Sequence, residues 1–193
     1  MNGMRCLGLG LLLFLGVHSV SIFAPHWRDR AALRLGATAW RALYSLLSLA
    51  GLLLILEGFA VARTTAPAWY VPTHWMHGAA RVLMIPVFPL LLAAYFPGRI
   101  QATSKHPMLA AVKLWAFAHL LANGSVADVA LFGSFLAWAV LDRISLKRRA
   151  PRPVPKAPAS KWNDAIVIVV GLLMYVLFFQ WAHLRLFGVS PLA

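Results

Sequence analysis

The sequence predicts an all-α protein, a polytopic membrane bundle of about six transmembrane helices in one domain covering residues 1–193. Two features of the composition support this fold class: 61% of the 193 residues are hydrophobic, and only 12% are charged. Soluble domains have roughly 45–50% apolar and 25% charged residues. The third observation is that the apolar residues fall into runs close to the roughly 20 residues that a helix needs to cross a bilayer.

The apolar runs predict the individual helices. Six of them lie near residues 5–24, 40–62, 77–96, 108–123, 126–142 and 164–187. The fourth run has the clearest ends, because Pro107 suits a first helical turn and Asn123 suits the end of a helix. Pro86 and Pro89 are expected to bend the third helix. The fourth and fifth runs are short and nearly continuous, so they could form a tight hairpin, or one could stop short of the far face.

The basic residues predict the orientation. If six helices span, residues 25–39, 97–107 and 143–163 share one face of the membrane. Twelve of the 18 Lys and Arg residues lie in these segments, whereas only Arg5, Arg63 and Arg185 lie on the opposite face. Cytoplasmic loops carry the excess of Lys and Arg. We therefore expect a multi-pass protein of the cell inner membrane with both termini in the periplasm.

The net charge of +13 also bears on the partners. In a soluble protein it would suggest nucleic acid, but here the basic residues lie in short segments between apolar runs, beside lipid headgroups. The expected partner is the lipid bilayer, and no nucleic acid. Residues 143–163 form a basic cytoplasmic loop whose proline-rich part, 147–161, favours an extended conformation. A solvated loop near the headgroups is the main interpretation, and a docking site for a partner protein is the alternative.

Two ionisable side chains, Lys113 and His119, lie inside the fourth run, where such groups are costly and tend to mark a site. At about 100° per residue, His119 shares a helix face with Trp115 and Asn123, while Lys113 lies on another face. His119 therefore needs a second ligand from another helix, and His18 in the first run is the best candidate for holding haem iron. Their depths differ by about 9 Å, so tilted helices or a canted haem would be required. A hydrogen-bonded core histidine, a proton relay and another metal remain open.

The other histidines give weaker signals. His74 and His77 could form an i, i+3 metal pair, but no Cys or carboxylate lies nearby, which favours a surface loop. His26 and His183 lie at helix ends and are interpreted as interfacial. The one cysteine, Cys6, excludes an internal disulfide and the CxxCH attachment of c-type haem.

Several segments carry a family resemblance. They are FLGVHSVSIFAP (14–25), the Tyr-Ser-Leu run at 44–49, YFPGRI (95–100), KHPMLAAVKLWAFAHLLANG (105–124), GSFLAWAVLDRISLKRR (133–149) and WNDAIVIVVG (162–171). They resemble the NnrU family of bacterial membrane proteins, which are associated with denitrification and with the handling of nitrite and nitric oxide. The resemblance extends over nearly the whole chain.

The NnrU family is similar in turn to the 15-cis-ζ-carotene isomerase of plants and cyanobacteria, a membrane enzyme that uses haem b. One of its two iron-binding histidines follows an apolar run as His-Ser, which matches His18; the other lies in a W-x-x-A-H block, which matches His119. The resemblance thus implies that His18 and His119 are axial ligands of haem b. Asn123 would then lie behind the ligand His119 and help to orient it, and Lys113 or a cytoplasmic-side arginine would pair with the propionates of the haem.

Three functions follow as hypotheses. The first is a haem b-binding membrane protein that supports nitrite or nitric oxide metabolism. The second is a haem-dependent cis–trans isomerase of a polyene such as ζ-carotene. That enzyme has an alternative cysteine ligand one turn before its second histidine, where this chain has Ala116, so the isomerase ligand exchange is not available here. The third is a non-enzymatic assembly or scaffold factor for a denitrification or respiratory complex, docking through the basic loop.

Overall fold

The protein is helical throughout most of its length. A computed structural model describes residues 2–149 and 154–191. The helices are α1 (Gly3–Phe23), α2 (Pro25–Leu35), α3 (Ala37–Thr65), α4 (His74–Met84), α5 (Val87–Ala93), α6 (Arg99–Ser104), α7 (Pro107–Ala122), α8 (Val126–Ser145), α9 (Asn163–Leu177) and α10 (His183–Phe187). A π-helical turn, Phe178–Ala182, joins α9 to α10. The described residues contain no β-strand beyond an isolated bridge between Ala68 and Ser125, and the predicted all-α class is confirmed.

Each predicted apolar run contains a helix, but the runs differ in how well they could cross a membrane. Among the described residues, four stretches are long and apolar enough: Gly3–Phe23, Ala37–Thr65, His74–Ala93 and Asn163–Phe187. The helix Pro107–Ala122 is apolar but shorter. Helix α8 has 20 residues, but it carries Asp128 in its first turn and Arg143 in its last. The structure thus gives four clear candidate spans and a shorter fifth where the sequence predicts about six.

The exposed surface of these helices is itself apolar. Leu12 in α1 is 74% exposed, and Leu173 in α9 is 64% exposed. Soluble monomers rarely expose contiguous apolar patches of this kind, whereas lipid chains are a suitable solvent for them. The chain is therefore a multi-pass membrane protein whose apolar faces contact lipid.

The described helices form two compact units. The N-terminal unit comprises residues up to 71 together with 124–145, and it contains α1, α2, α3 and α8. The C-terminal unit comprises residues 72–123 and those from 146 onwards, and it contains α4 to α7, α9, the π-helical turn and α10. The single domain expected over residues 1–193 stays a prediction.

Glycines hold α1 and α3 close together in the N-terminal unit. A Cβ atom added to Gly10 would lie 2.6 Å from the backbone nitrogen of Ile55, and one added to Gly51 would lie 2.8 Å from that of Phe14. Gly58 is closer still to the backbone of Leu7. Small residues at a helix interface let two backbones approach, which is how membrane helices gain dispersion contacts. The α1–α3 pair is thus a tight antiparallel hairpin.

The C-terminal unit contains a bent span and a close helix contact. Helix α4 ends at Met84 and α5 begins at Val87, so the chain breaks at Pro86 as predicted. A Cβ atom on Gly171 of α9 would lie 2.6 Å from the backbone nitrogen of Pro89. Helix α7 packs on α4 and α5 in this unit. Its start at Pro107 and its end before Asn123 also agree with the prediction.

The predicted basic loop is described at 143–149 and 154–163, while residues 150–153 lie outside the described part. Its second half packs against an earlier segment of the C-terminal unit. The backbone N–H of Ala157 donates to the carbonyl of Tyr95 (2.8 Å), and the buried Asn163 amide donates to the carbonyl of Pro97 (2.8 Å). This part of the loop is therefore held by hydrogen bonds to the protein.

Candidate functional site

His119 lies in α7, half-buried, on the helix that the sequence singles out. Its ring nitrogen Nδ1 lies 2.9 Å from the carbonyl oxygen of Trp115, one turn earlier. A carbonyl can only accept, so Nδ1 carries the proton and the lone pair of the neutral ring lies on Nε2. Asn123 ends the helix, and its side-chain amide donates to the carbonyl of His119 at 3.0 Å. Asn123 thus contacts the main chain of His119, and its predicted support of the imidazole stays a prediction.

A cavity of about 230 Å³ in the C-terminal unit has His119 in its wall. The described residues that line it come from α4, α5, α7, α9, the π-helical turn, α10 and the segment after α10. They are His77, Ala80, Arg81, Met84, Phe88, Ala118, His119, Ala122, Asn123, Tyr175, Phe178, Phe179, His183, Val189, Ser190 and Pro191. Among them are one guanidinium group and three imidazoles, and there is no carboxylate. The cavity therefore has apolar walls and a polar, electropositive part.

His183 is one of the cavity residues that sequence reasoning missed. Its ring centroid lies 6.5 Å from that of His119, with 22° between the ring planes. Its Nδ1 lies 2.7 Å from the carbonyl oxygen of Val189, so this ring has the same tautomer as His119. The sequence predicts an interfacial His183 near the end of the last run, 164–187, and the structure places it at the start of α10, which ends at Phe187. No local sequence pattern indicates that this ring joins the cavity, because tertiary packing and the preceding π-helical turn bring it there.

A π-helical turn immediately precedes His183. This turn, Phe178–Ala182, contributes Phe178 to the cavity wall, and the Phe178 and His183 rings lie edge to face at 5.8 Å. Single π-helical turns are rare, and those that occur are often found at functional sites. In a π-helical turn each N–H donates to the carbonyl five residues earlier instead of four, which changes the direction of the side chains that follow. No sequence pattern predicts the position of such a turn.

His18 lies in α1, in the N-terminal unit. Its Nδ1 lies 2.7 Å from the carbonyl oxygen of Phe14, which again leaves the lone pair on Nε2. Aromatic rings surround the imidazole: Phe14 at 4.2 Å, Tyr44 at 5.2 Å and Trp138 at 6.0 Å between ring centroids. In the described part of the chain, Nε2 of His18 has no hydrogen-bond partner. The structure describes His18 and His119 in different units, and their sharing of one iron stays a prediction.

Lys113 lies in α7 and is half-buried. It does not appear among the described residues that line the cavity of His119, whereas Arg81 does. The predicted role of Lys113 as a partner for haem propionates stays a prediction, and Arg81 is a basic residue that lines this cavity.

A metal held by protein ligands alone has little support. Among the described residues, no group of three or more His, Cys, Asp or Glu side chains is placed to hold a metal ion. A haem iron needs only one or two protein ligands, because the porphyrin supplies four nitrogens.

Comparison with known proteins identifies the family. The family model described as NnrU protein matches residues 6–191, nearly the whole chain. No curated protein and no solved structure gives a match. The expected resemblance is confirmed: this chain belongs to the NnrU family.

Proposed function

We propose that this protein binds haem b in the membrane through His18 and His119 and supports nitrite or nitric oxide metabolism in denitrification, in association with a denitrification or respiratory complex. One observation carries the haem assignment. In both residues Nδ1–H donates to the carbonyl four residues earlier, at 2.7 Å and 2.9 Å.

The hydrogen bond at Nδ1 matters because it prepares the ring for an iron. A histidine ligand binds through one nitrogen, and a partner on the other nitrogen fixes the tautomer and ring orientation and raises the basicity of the ligand. In both residues the partner is a main-chain carbonyl of the same helix, which can accept a hydrogen bond but cannot donate one. Neither imidazole would have to change tautomer before Nε2 could coordinate iron.

The size of the described cavity limits where the porphyrin could lie. Pockets for drug-sized ligands measure about 300–1,000 Å³, and the cavity in the C-terminal unit measures about 230 Å³. The donor groups therefore fit a haem iron, but this cavity by itself does not accommodate a porphyrin. His119 would hold the iron from the wall of this cavity, and the porphyrin needs space beyond the cavity.

Absorption spectra of purified protein test the proposal. Protein from haem-replete cells is expected to carry haem b, with the sharp reduced-state bands of an iron that has two imidazole ligands. His119→Ala should lose the haem or this spectrum. His74→Ala is the matched control, because His74 is exposed at the start of α4 and does not line the cavity. A colourless wild-type preparation that takes up no added haem would reject the proposal.

A further inference from the structure

Arg81 is an ionised side chain in an apolar span. It lies in α4, within the candidate membrane span His74–Ala93, and is half-buried. No carboxylate pairs with it in the part of the chain that the structure describes, where the recorded ion pair joins Arg28 to Asp29. An unpaired charge in a membrane span is costly and is a functional-site hypothesis by default. We therefore expect an anion that the described residues do not supply to neutralise the charge of Arg81.

The surroundings of Arg81 suit that anion. The residues that line the same cavity include the hydrogen-bonding side chains of Asn123, Tyr175 and Ser190, and none of the lining residues is acidic. The Tyr175 hydroxyl donates to the main-chain carbonyl of Arg81 at 3.2 Å, which holds the phenol beside this turn of α4. A cation would be repelled by the guanidinium and would find no anionic ligand.

We propose that Arg81 is the anchor of a binding site for a planar oxyanion, meaning a carboxylate or a small ion of the same shape such as nitrite. Arginine binds such groups through two parallel N–H···O bonds, which a lysine cannot reproduce. The cavity volume of about 230 Å³ is ample for a small ion with water. The oxyanion has two candidate sources: a free ion, or the propionate of a haem on His119, in which case the inference rests on the proposed function.

The first experiment uses free anions. Sodium nitrite and sodium formate are titrated into the purified full-length protein in detergent at constant ionic strength, with calorimetric detection. Saturable binding is expected in the wild type, and Arg81→Gln should weaken it by about tenfold or more, since hydrogen bonds between charged groups are among the strongest in proteins. Arg63→Gln is the matched control, because it removes an arginine from the last turn of α3 in the other unit.

The second experiment tests the propionate. Haem b and its dimethyl ester, which has no charged propionates, are compared for binding to the wild type and to Arg81→Gln. If Arg81 holds a propionate, the wild type should prefer haem b, and Arg81→Gln should lose that preference. A wild type that binds no haem at all would refute the proposed function but leave the result of the anion titration standing.

Two further variants guard against a misfolded Arg81→Gln protein. Arg81→Lys keeps the charge and should bind the anion more weakly than the wild type, because it lacks the two-pronged geometry. Ser190→Asp places a carboxylate in the cavity wall, on an irregular segment, and should compete for Arg81. The proposal is overturned if Arg81→Gln matches the wild type in both experiments; the guanidinium would then simply reach the lipid headgroups.

Discussion

At the scale of the residue, the proposal depends on the chemistry of a few imidazoles. His18, His119 and His183 each donate Nδ1–H to a main-chain carbonyl, at 2.7, 2.9 and 2.7 Å. All three rings therefore present Nε2 as the basic nitrogen. Which of them bind iron depends on the positions of the rings, and the family resemblance assigns His18 and His119.

The ligand assignment gives the first prediction. His18→Ala is expected to convert the bound haem from six-coordinate to five-coordinate iron or to reduce the haem content severalfold, because it removes one of two axial ligands. The absorption spectrum and the haem-to-protein ratio measure this change. The contrary pattern, with His18→Ala unaffected and His183→Ala depleted of haem, would contradict the assignment and make His183 the second ligand.

A second prediction concerns a buried carboxylate in the N-terminal unit. Asp128 is 9% exposed and accepts hydrogen bonds from the backbone N–H and the hydroxyl of Ser125, while its own N–H donates to that hydroxyl. This reciprocal arrangement is a capping box at the start of α8. Asp128→Ala should lower the free energy of unfolding by about 1–2 kcal/mol.

Thermal unfolding in detergent measures this loss. The control is Asp29→Ala, because Asp29 is exposed and forms an ion pair with the neighbouring Arg28. Exposed pairs contribute about 0–1 kcal/mol, so its effect should be smaller. Equal midpoints for Asp128→Ala and the wild type would contradict the structural role of the capping box.

At the scale of the helix, the third prediction tests the close approach of α1 and α3. A Cβ atom on Gly58 would overlap the backbone of Leu7, whereas one on Gly8 would meet nothing within 4 Å. Gly58→Ala should therefore destabilise the protein by about 1–3 kcal/mol through overpacking. Gly8→Ala should be neutral or stabilising by up to about 1 kcal/mol, because alanine favours helix over glycine.

The melting temperatures of these two variants in the same detergent provide the comparison. The predicted order is Gly8→Ala at or above the wild type, followed by Gly58→Ala well below it. If both substitutions shift the melting temperature equally, helix propensity rather than backbone contact controls this pair of helices.

The sequence predicted the long helices well and the short ones poorly. Apolar runs and terminal signals such as Pro107 located α1, α3, α7 and α8 to within a few residues, because a spanning helix must be apolar along its length. Helices α2 and α6 lie where the sequence predicts connecting segments. Helix α2 begins at Pro25 and is followed by Gly36, which has a φ of 81°. Because this helix is polar, a search for apolar runs does not detect it.

The candidate site was predictable only in part. His119 and Asn123 stand out in the sequence because polar side chains interrupt an apolar helix. Arg81 and His183 join the same cavity through tertiary packing and through a π-helical turn, neither of which leaves a local pattern in the sequence. Helix periodicity placed Lys113 on another face of α7 from His119, and Lys113 is not among the described residues that line the cavity. Its role toward haem propionates stays a prediction.

At the scale of the whole molecule, the fourth prediction concerns topology. If four or six helices span, the chain returns to its starting side, and the basic residues of 25–39, 97–107 and 143–163 then predict both termini in the periplasm. Alkaline phosphatase, active only outside the cytoplasm, should be active when fused after residue 193. A green fluorescent protein fused after the same residue would be exported by the Sec route and should not fluoresce. The reverse pair of results would invert the topology.

The central claim is that the iron of a haem b binds two imidazoles of this protein, one of them His119. Low-temperature electron paramagnetic resonance of the ferric protein tests it most directly, because two imidazole ligands produce a low-spin signal and the loss of one produces a high-spin signal. We predict a low-spin spectrum in the wild type and a high-spin spectrum, or no haem, in His119→Ala. A high-spin wild type, or a low-spin spectrum unchanged by His119→Ala, would contradict the claim.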